Sequence, residues 1–272
     1  MKPSVHNIVQ TVQELEHCNK LKEINSWSKL FKALFTHRGT QFCLKYKFPT
    51  LELLRLAGND LSRHGVFTDA GKLTLHNCRR VILAGNTEAV IYISNNDSPT
   101  EIMVMHGAKA IVYTMAYPVI ICTEIDGKIE LNTTRFGKRS IDNLVGIHPD
   151  LAKLMCEAIK ESPIDFTITE GVRTTERQQS LYEQGRSKPG TIVTHADGLQ
   201  KKSNHQSKSD GYGYAVDLYP LINGKVELNA INELNAIASH ICDIATQLNI
   251  PVIWGGNWKL RDYPHFELKL HT

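Results

Sequence analysis

The sequence predicts two parts: an α+β C-terminal domain with a small antiparallel sheet flanked by helices, preceded by a helical segment and a β-rich repeat domain. Three observations support this prediction. The apolar spacing changes from helical to strand-like near residue 64, strand-like segments then repeat up to about residue 133, and helix and strand patterns alternate after residue 145. A chain of 272 residues suits two ordinary domains, and we expect them at residues 1–140 and 145–272.

The first 58 residues carry apolar positions at roughly helical spacing. Within them, Pro49 and Thr50 precede LELLRLA. A hydroxyl residue just before an apolar periodic run is typical of a capped helix start. The sequence therefore predicts a helix that begins directly after Thr50.

The strand-like segments contain an internal repeat. Arg80–Ile93 aligns without gaps to Glu101–Thr114, which begins 21 residues later, and each segment has a glycine turn between two apolar runs. Such a repeat predicts stacked strand pairs, either a short β-solenoid or an array of hairpins. An ordinary antiparallel sandwich is the alternative. His106 falls in the second turn, and we expect it to be a turn residue rather than a metal ligand.

The C-terminal part mixes helices and strands. The patterns predict helices at LAKLMCEAIKES, at Glu176–Gln184 and at about 230–248, and strands at IDFTITEG, YAVDLYP, VIWGG and HFELKL. A polar loop rich in Gly, Ser, Lys and Asn runs from Arg186 to Asp210. We therefore expect a mixed α+β domain with one long loop.

Composition limits the class of protein. The formal net charge is +3 and the basic residues are dispersed, which argues against a nucleic-acid partner. Six cysteines without a CxxC pair exclude a thiolate zinc site read from spacing, and free thiols favour synthesis in a reducing cytoplasm. We expect no signal peptide and no transmembrane segment, because no apolar run approaches about 20 residues. Another factor must then release the protein if it acts on the wall.

Two imidazoles and one carboxylate are candidate metal ligands: His205, Asp217 and His265. A catalytic zinc ion takes three protein ligands and leaves one position open, and such ligands keep the ion electrophilic. Asp217 interrupts an apolar strand, where a charge is costly unless it is paired or binds metal. Strand alternation places it opposite the face of Val216 and Leu218. The sequence therefore predicts a zinc site.

A hydrolytic zinc site also needs a general base and a group that stabilises the oxyanion. Asp262 and Glu267 are both candidates for the base, and Asp262 falls in an exposed-looking turn. Arg173 follows the strand IDFTITEG, where it could stabilise an oxyanion or hold a substrate carboxylate. Gln178 lies five residues later and could assist it.

These segments resemble the zinc peptidases that include VanY-type D-alanyl-D-alanine carboxypeptidases and phage L-alanyl-D-glutamate endopeptidases. The matching motifs are Ser203-Asn204-His205, Gly213-Tyr214-Ala215-Val216-Asp217, Asp262-Tyr263-Pro264-His265 and Gly171-Val172-Arg173-Thr174. The resemblance, which covers about residues 145–270, implies that the two histidines and Asp217 bind zinc. It also implies that Asp262 is the catalytic base, that Arg173 steadies the substrate or the tetrahedral intermediate, and that Gln178 and Ser203 bind substrate.

One departure concerns the segment KSDGYG, which lengthens the interval between His205 and Asp217. If this insertion displaces His205, His195 is the alternative ligand. The C-terminal half otherwise carries every motif of the family in order.

We therefore expect a zinc-dependent peptidoglycan peptidase of the L-Ala-D-Glu endopeptidase type, similar to a phage or prophage endolysin. The alternatives are a D-Ala-D-Ala carboxypeptidase, the peptidase domain of an injected antibacterial effector, and an inactive wall-binding module. The substrate is a peptidoglycan stem peptide, and the N-terminal domain is expected to bind the cell wall or another protein. The enzyme is expected to be cytoplasmic at synthesis and to act on the wall after release.

Overall fold

The computed structural model describes residues 24–94, 98–114 and 118–269, together with residues 5, 9, 10 and 13. The chain divides into two compact units, Met1–Asn132 and Thr133–Thr272, so the division falls ahead of the expected boundary at 140–145. Most of the helical pattern predicted before residue 24, and Cys18, lie outside the described residues. Within the described part, no helix has the length and apolar character needed to cross a membrane.

The N-terminal unit begins with short capped helices, followed by a 3-10 segment at Asn59–His64. The helices are α1 (Trp27–Leu34), α2 (His37–Tyr46) and α3 (Leu51–Ala57). The hydroxyls of Ser26, Thr36 and Thr50 each accept a hydrogen bond from the backbone N–H three residues later. The predicted helix start after Thr50 is therefore confirmed.

The rest of this unit is a β-solenoid with two parallel sheets. One sheet has the order β1-β3-β5-β7 and the other has the order β2-β4-β6-β8. The strands are β1 (Val66–Thr68), β2 (Gly71–His76), β3 (Arg80–Ala84), β4 (Thr87–Ile93), β5 (Thr100–Met105), β6 (Lys109–Thr114), β7 (Ile120–Ile125) and β8 (Lys128–Thr133). The solenoid prediction is confirmed, and the hairpin array and the antiparallel sandwich are wrong, because the chain crosses to the other sheet at each turn.

The offset of the internal repeat equals the spacing between paired residues in neighbouring coils of the solenoid. Arg80 pairs with Glu101 in the first sheet and Glu88 with Lys109 in the second, each 21 residues later. His106 occupies the left-handed region, with φ of 55°, and its Nε2 lies 2.7 Å from the carbonyl oxygen of Pro49. His106 is therefore a turn residue, as predicted.

Strands β3 and β5 of the first sheet are buried on both faces. Val81 and Leu83 pack between the two sheets, whereas Ile82 and Ala84 pack against the helices α1–α3. A strand covered on both sides has no polar face, so its sequence is continuously apolar. This explains the uninterrupted run VILA in β3.

The C-terminal unit contains an antiparallel sheet and helices. The sheet has the order β11-β10-β13-β12, and β9 also pairs with β10. The elements are α4 (Lys138–Asn143), α5 (Pro149–Ala158), β9 (Phe166–Glu170), α6 (Thr175–Glu183), β10 (Ala215–Ile222), β11 (Lys225–Val226), α7 (Ile231–Gln247), β12 (Val252–Trp254) and β13 (His265–Leu268). The predicted helices and strands of this half are confirmed to within a few residues.

Candidate metal centre and cavity

The register of the central strands sets two of the predicted ligands side by side. Asp217 in β10 pairs directly with His265 in β13, and Glu170 in β9 is the partner of Asp217 on its other side. Val216 and Leu218 are fully buried on the opposite face. Strand alternation therefore presents Glu170, Asp217 and His265 on one face of the sheet, as predicted for Asp217.

The third predicted ligand, His205, is held in place by backbone hydrogen bonds. Its carbonyl oxygen accepts from the N–H of Arg173 at 2.9 Å. The carbonyl oxygen of the preceding residue, Asn204, accepts from the N–H of Tyr214 at 2.7 Å, just before β10 begins. Within KSDGYG, the N–H of Lys208 donates to the carbonyl of Tyr212 at 2.9 Å, so this segment closes as a local turn. The turn leaves His205 beside Asp217.

The three side chains converge on one point. The Nε2 atom of His205 lies 3.2 Å from Nδ1 of His265 and 3.2 Å from Oδ1 of Asp217, and the last two atoms are 3.1 Å apart. A tetrahedral zinc ion with bonds of about 2.0–2.1 Å would separate its ligand atoms by roughly 3.3–3.4 Å. Among the described residues, His205, Asp217 and His265 are the group of side chains that could hold a metal ion together. The donor set and its spacing fit zinc. His195 lies on the wall of the same cavity but is not in this group.

The second nitrogen of each imidazole is also fixed. The Nδ1 of His205 lies 2.8 Å from the carbonyl oxygen of Gly171, and the Nε2 of His265 lies 3.0 Å from Oε2 of Glu267. The same Glu267 oxygen accepts from Nδ2 of Asn204 at 2.9 Å, and Nζ of Lys208 donates to Oδ1 of Asn204 at 2.8 Å. Such partners orient histidine ligands and set which nitrogen faces the metal.

The charges around this point favour a bound cation. Burial alone would raise the pKa of Asp217, but the charge and hydrogen bonds of His205 and His265 outweigh it and hold that pKa below its ordinary value. Burial alone would lower the pKa of His265, yet its hydrogen bonds to Asp217 and Glu267 raise it to about 9. The carboxylates of Asp217 and Glu267 therefore favour positive charge at His265.

Asp262 lies on the wall of the same cavity and is half-buried, not exposed as its turn suggested. Its N–H donates to the carbonyl of Gly255 at 3.0 Å, and its carbonyl accepts from the N–H of His265 at 3.2 Å. Burial and the nearby charge of Asp217 raise the pKa of Asp262. A carboxyl group in such surroundings takes up a proton more readily than an exposed one.

Arg173 is held by three partners beneath the metal centre. Its Nη2 donates to Oε2 of Glu170 at 2.5 Å and to Oδ2 of Asp217 at 3.3 Å, and its Nη1 donates to Oε1 of Gln178 at 2.8 Å. The Arg173 side chain is only 8% exposed. The guanidinium therefore contacts the candidate ligand Asp217 directly; its contact with Gln178 agrees with the sequence analysis, whereas its contacts with Glu170 and Asp217 were not predicted.

The two predicted substrate-binding residues differ in position. Ser203 lies on the cavity wall, and its Oγ accepts from the N–H of His205 at 3.3 Å. Gln178 is fully buried, and besides Arg173 it contacts Oγ1 of Thr194 at 3.2 Å and the carbonyl of Ala196 at 2.8 Å. Its hydrogen bonds are internal, and one of them joins it to Arg173, so contact of Gln178 with substrate stays a prediction.

The cavity that contains these groups has a volume of about 840 Å³. Its wall combines the polar groups above with apolar side chains, among them Ile192, Val193, Trp258 and Leu260. Known ligand pockets of about 300–1,000 Å³ combine apolar walls with a few placed polar groups in the same way. The cavity is large enough for a short peptide segment.

The C-terminal half of the chain is similar to known proteins. Residues 132–271 match the family described as phage L-alanyl-D-glutamate peptidase. The chain is 34% identical over 132 residues to the peptidoglycan L-alanyl-D-glutamate endopeptidase CwlK of Bacillus subtilis, covering 45% of this chain and 73% of the relative. It is 30% identical over 138 residues to the L-alanyl-D-glutamate peptidase of Escherichia phage T5, covering 51% of this chain and 91% of the relative.

A solved structure, that of the Serratia marcescens L-Ala D-Glu endopeptidase ChiX, is 32% identical to the matched region. The match covers 48% of this chain and 87% of that chain, with a TM-score of 0.40.

Proposed function

The chain belongs to the phage L-alanyl-D-glutamate peptidase family, and on that premise we propose that it is a zinc-dependent peptidoglycan peptidase that cuts the L-Ala–D-Glu bond of the stem peptide. The observation that carries this proposal is the convergence of His205, Asp217 and His265 on one point beside Asp262 in a single cavity. We propose that these three side chains hold the zinc ion.

A zinc ion bound there would supply Lewis-acid chemistry, because it polarises the scissile carbonyl and makes a water molecule acidic enough to react near neutral pH. Asp262 accepts a proton from the attacking water and then returns it to the leaving amine. Its raised pKa supports both steps, since the carboxyl group must hold the proton between them. One proton thus moves from water to the amine of the D-glutamate residue.

Arg173 donates to the oxyanion that develops on the carbonyl oxygen, and its contacts with Glu170 and Gln178 fix the guanidinium for this role. Ser203 contacts the substrate from the cavity wall. Glu267 and Asn204 orient His265, because Glu267 contacts the imidazole nitrogen that lies away from Asp217.

The test is digestion of purified peptidoglycan followed by mass spectrometry of the fragments. The zinc-loaded chain should produce new fragments that begin with D-glutamate, and a chelator should stop the reaction. Release of free alanine would instead indicate a D-Ala-D-Ala carboxypeptidase. Absence of any fragment from fully zinc-loaded protein would contradict the proposal.

A matched pair of variants tests the base. Asp262→Ala should abolish hydrolysis while the zinc content stays unchanged, because Asp262 is not one of the three ligands. Asp243→Ala removes an exposed carboxylate on α7 and should leave activity intact. Full activity in the Asp262 variant would refute its role.

We further propose that the N-terminal domain, taken as residues 1–140, binds the cell wall or another protein, and that the enzyme acts as a phage-type lysin on the wall. Support comes from the last solenoid coil, where Val119, Ile121 and Leu131 are 61%, 51% and 56% exposed. These exposed apolar side chains are the support for a contact site at this coil. Full-length Asp262→Ala protein should sediment with walls, and adding Ile121→Glu should reduce this; equal sedimentation would contradict the proposal.

A further inference from the structure

Two cations on the cavity wall have no carboxylate partner among the described residues. Lys201 and Arg261 are both exposed, and neither forms an ion pair with any of the described residues. We propose that Lys201 and Arg261 form a subsite for the side carboxylate of the D-glutamate residue next to the cut bond. This inference rests on the proposed function and adds a specificity determinant to it.

The other charged groups of the cavity already have partners or a proposed reaction step. Glu170 is paired with Arg173, and Asp217 and Glu267 are in contact with the imidazoles. The guanidinium of Arg173 is in turn shared between Glu170 and Asp217. Positive charge that remains open on the wall therefore comes from Lys201 and Arg261, and it suits an anionic group of the substrate rather than the protein's own acids.

Lys201 is held in a fixed loop. The Oδ1 atom of Asp197 accepts from the N–H of Leu199 at 2.8 Å and from the N–H of Lys201 at 2.9 Å. These backbone hydrogen bonds lower the pKa of Asp197 and turn its carboxylate toward the loop backbone. Gly198, with φ of 81°, packs on the buried side chain of Gln178. The loop therefore places the Lys201 side chain at the cavity without neutralising its charge.

Arg261 is held on a second loop of the cavity wall. Its neighbour Asp262 is bound to the carbonyl of Gly255, and a Cβ on Gly255 would lie 2.5 Å from the carbonyl oxygen of Asp262, so the two segments are in close contact. The Nη1 of Arg261 donates to the hydroxyl of Tyr263 at 2.9 Å. A tyrosine hydroxyl is a neutral acceptor, so the guanidinium keeps its full charge for a ligand.

The chemistry of the substrate supplies the matching group. Glutamate has two carboxyl groups, and a peptide chain continues through only one of them. The other is either a free carboxylate or, when amidated, a neutral carboxamide. This group belongs to the residue directly after the cut bond, so it enters the cavity with the scissile carbonyl. Arginine and lysine form hydrogen bonds with a carboxylate that are strengthened by the attraction of opposite charges, and a neutral carboxamide does not provide this attraction.

The test compares two synthetic stem peptides that differ only in this group, one with the free carboxylate and one with the carboxamide. The wild-type enzyme should prefer the carboxylate peptide by about tenfold or more in kcat/KM. Lys201→Met and Arg261→Met should each lower that preference by about three- to fivefold, as expected for exposed ion pairs, and the double variant should nearly abolish it.

The chain offers matched controls. Lys202→Met and Lys259→Met remove the same charge from neighbouring residues that do not line the cavity, and both should keep the wild-type preference. Lys201→Arg keeps the charge and should also retain it. If a Met variant folds poorly, the wild-type enzyme is measured at increasing salt concentration instead. Its preference for the carboxylate peptide should fall, because salt screens the attraction between exposed charges.

Equal cleavage of both peptides by the wild-type enzyme would overturn the subsite while leaving the proposed function intact. An unchanged preference in the Lys201→Met, Arg261→Met double variant would also overturn it. Failure of the zinc-loaded enzyme to cut either peptide would contradict the proposed function itself.

Discussion

Gln178→Ala tests whether this residue acts through Arg173 rather than on the substrate. Gln178 is fully buried, and its amide joins Nη1 of Arg173 to Oγ1 of Thr194 and the carbonyl of Ala196. Removing the amide should release the guanidinium and the loop that Thr194 and Ala196 belong to. We expect lower stability and a lower kcat, with KM nearly unchanged.

The magnitude follows from the three hydrogen bonds that are lost. The two neutral hydrogen bonds contribute about 1 kcal/mol each net, and the hydrogen bond from the charged Arg173 contributes about 1.5–3 kcal/mol. We therefore expect Gln178→Ala to reduce the free energy of unfolding by about 4 kcal/mol. Gln178→Glu keeps an acceptor for Arg173 but places an oxygen against the carbonyl of Ala196, so an intermediate loss is expected.

Urea unfolding measures the loss of stability, and the transition of the C-terminal unit is identified by its shift with added zinc. Gln247→Ala, at the exposed end of α7, is the control and should change the free energy of unfolding by less than about 0.5 kcal/mol. The kinetic parameters are measured on the carboxylate peptide. A raised KM in Gln178→Ala with unchanged stability would refute the reasoning, because it would mean direct contact with substrate.

Three further predictions concern the metal centre, the solenoid and the thiols. Glu267→Ala should weaken zinc binding about tenfold or more in competition with a chromophoric chelator, because His265 loses the partner of its second nitrogen; unchanged affinity would contradict that role. Ile91→Ala should cost about 2–5 kcal/mol in urea unfolding, since Ile91 is fully buried between the two sheets, and a loss below 1 kcal/mol would count against this packing. Burial raises the pKa of the Cys43 thiol to about 12, which reduces its reactive thiolate at pH 8; peptide mapping after alkylation should find exposed Cys122 modified before Cys43, and the reverse order would contradict the described burial.

The three candidate ligands could be proposed from the sequence because they stand in short motifs, of which the one around Asp217 is the clearest. Asp217 interrupts an apolar strand, and alternation fixes the face on which its side chain lies. The supporting groups could not be predicted in this way. Glu170 meets Asp217 only when β9 pairs with β10, and Asn204 meets Glu267 only when the long loop folds onto β13. These contacts depend on tertiary structure, which the periodicity of one segment does not contain.

The repeat domain shows a similar limit. Two apolar runs around a glycine turn are compatible with a hairpin, in which the runs pair with each other, and with a solenoid, in which each pairs with its counterpart in the next coil. Only long-range pairing decides between them. Asp262 was misjudged for a related reason: its turn looks exposed, but the contact with Gly255 and the packing around His265 cover it.

The parallel ladders of the N-terminal unit also constrain how its length can change. Deleting one residue inside a strand would turn the outward-facing side chains that follow it in that strand toward the interior. Adding or removing one complete winding would preserve the strand pairing, because Arg80 and Glu88 meet equivalent positions one winding later. The unit can therefore grow or shrink in whole steps, and variants of different reach could share the same hydrolytic half.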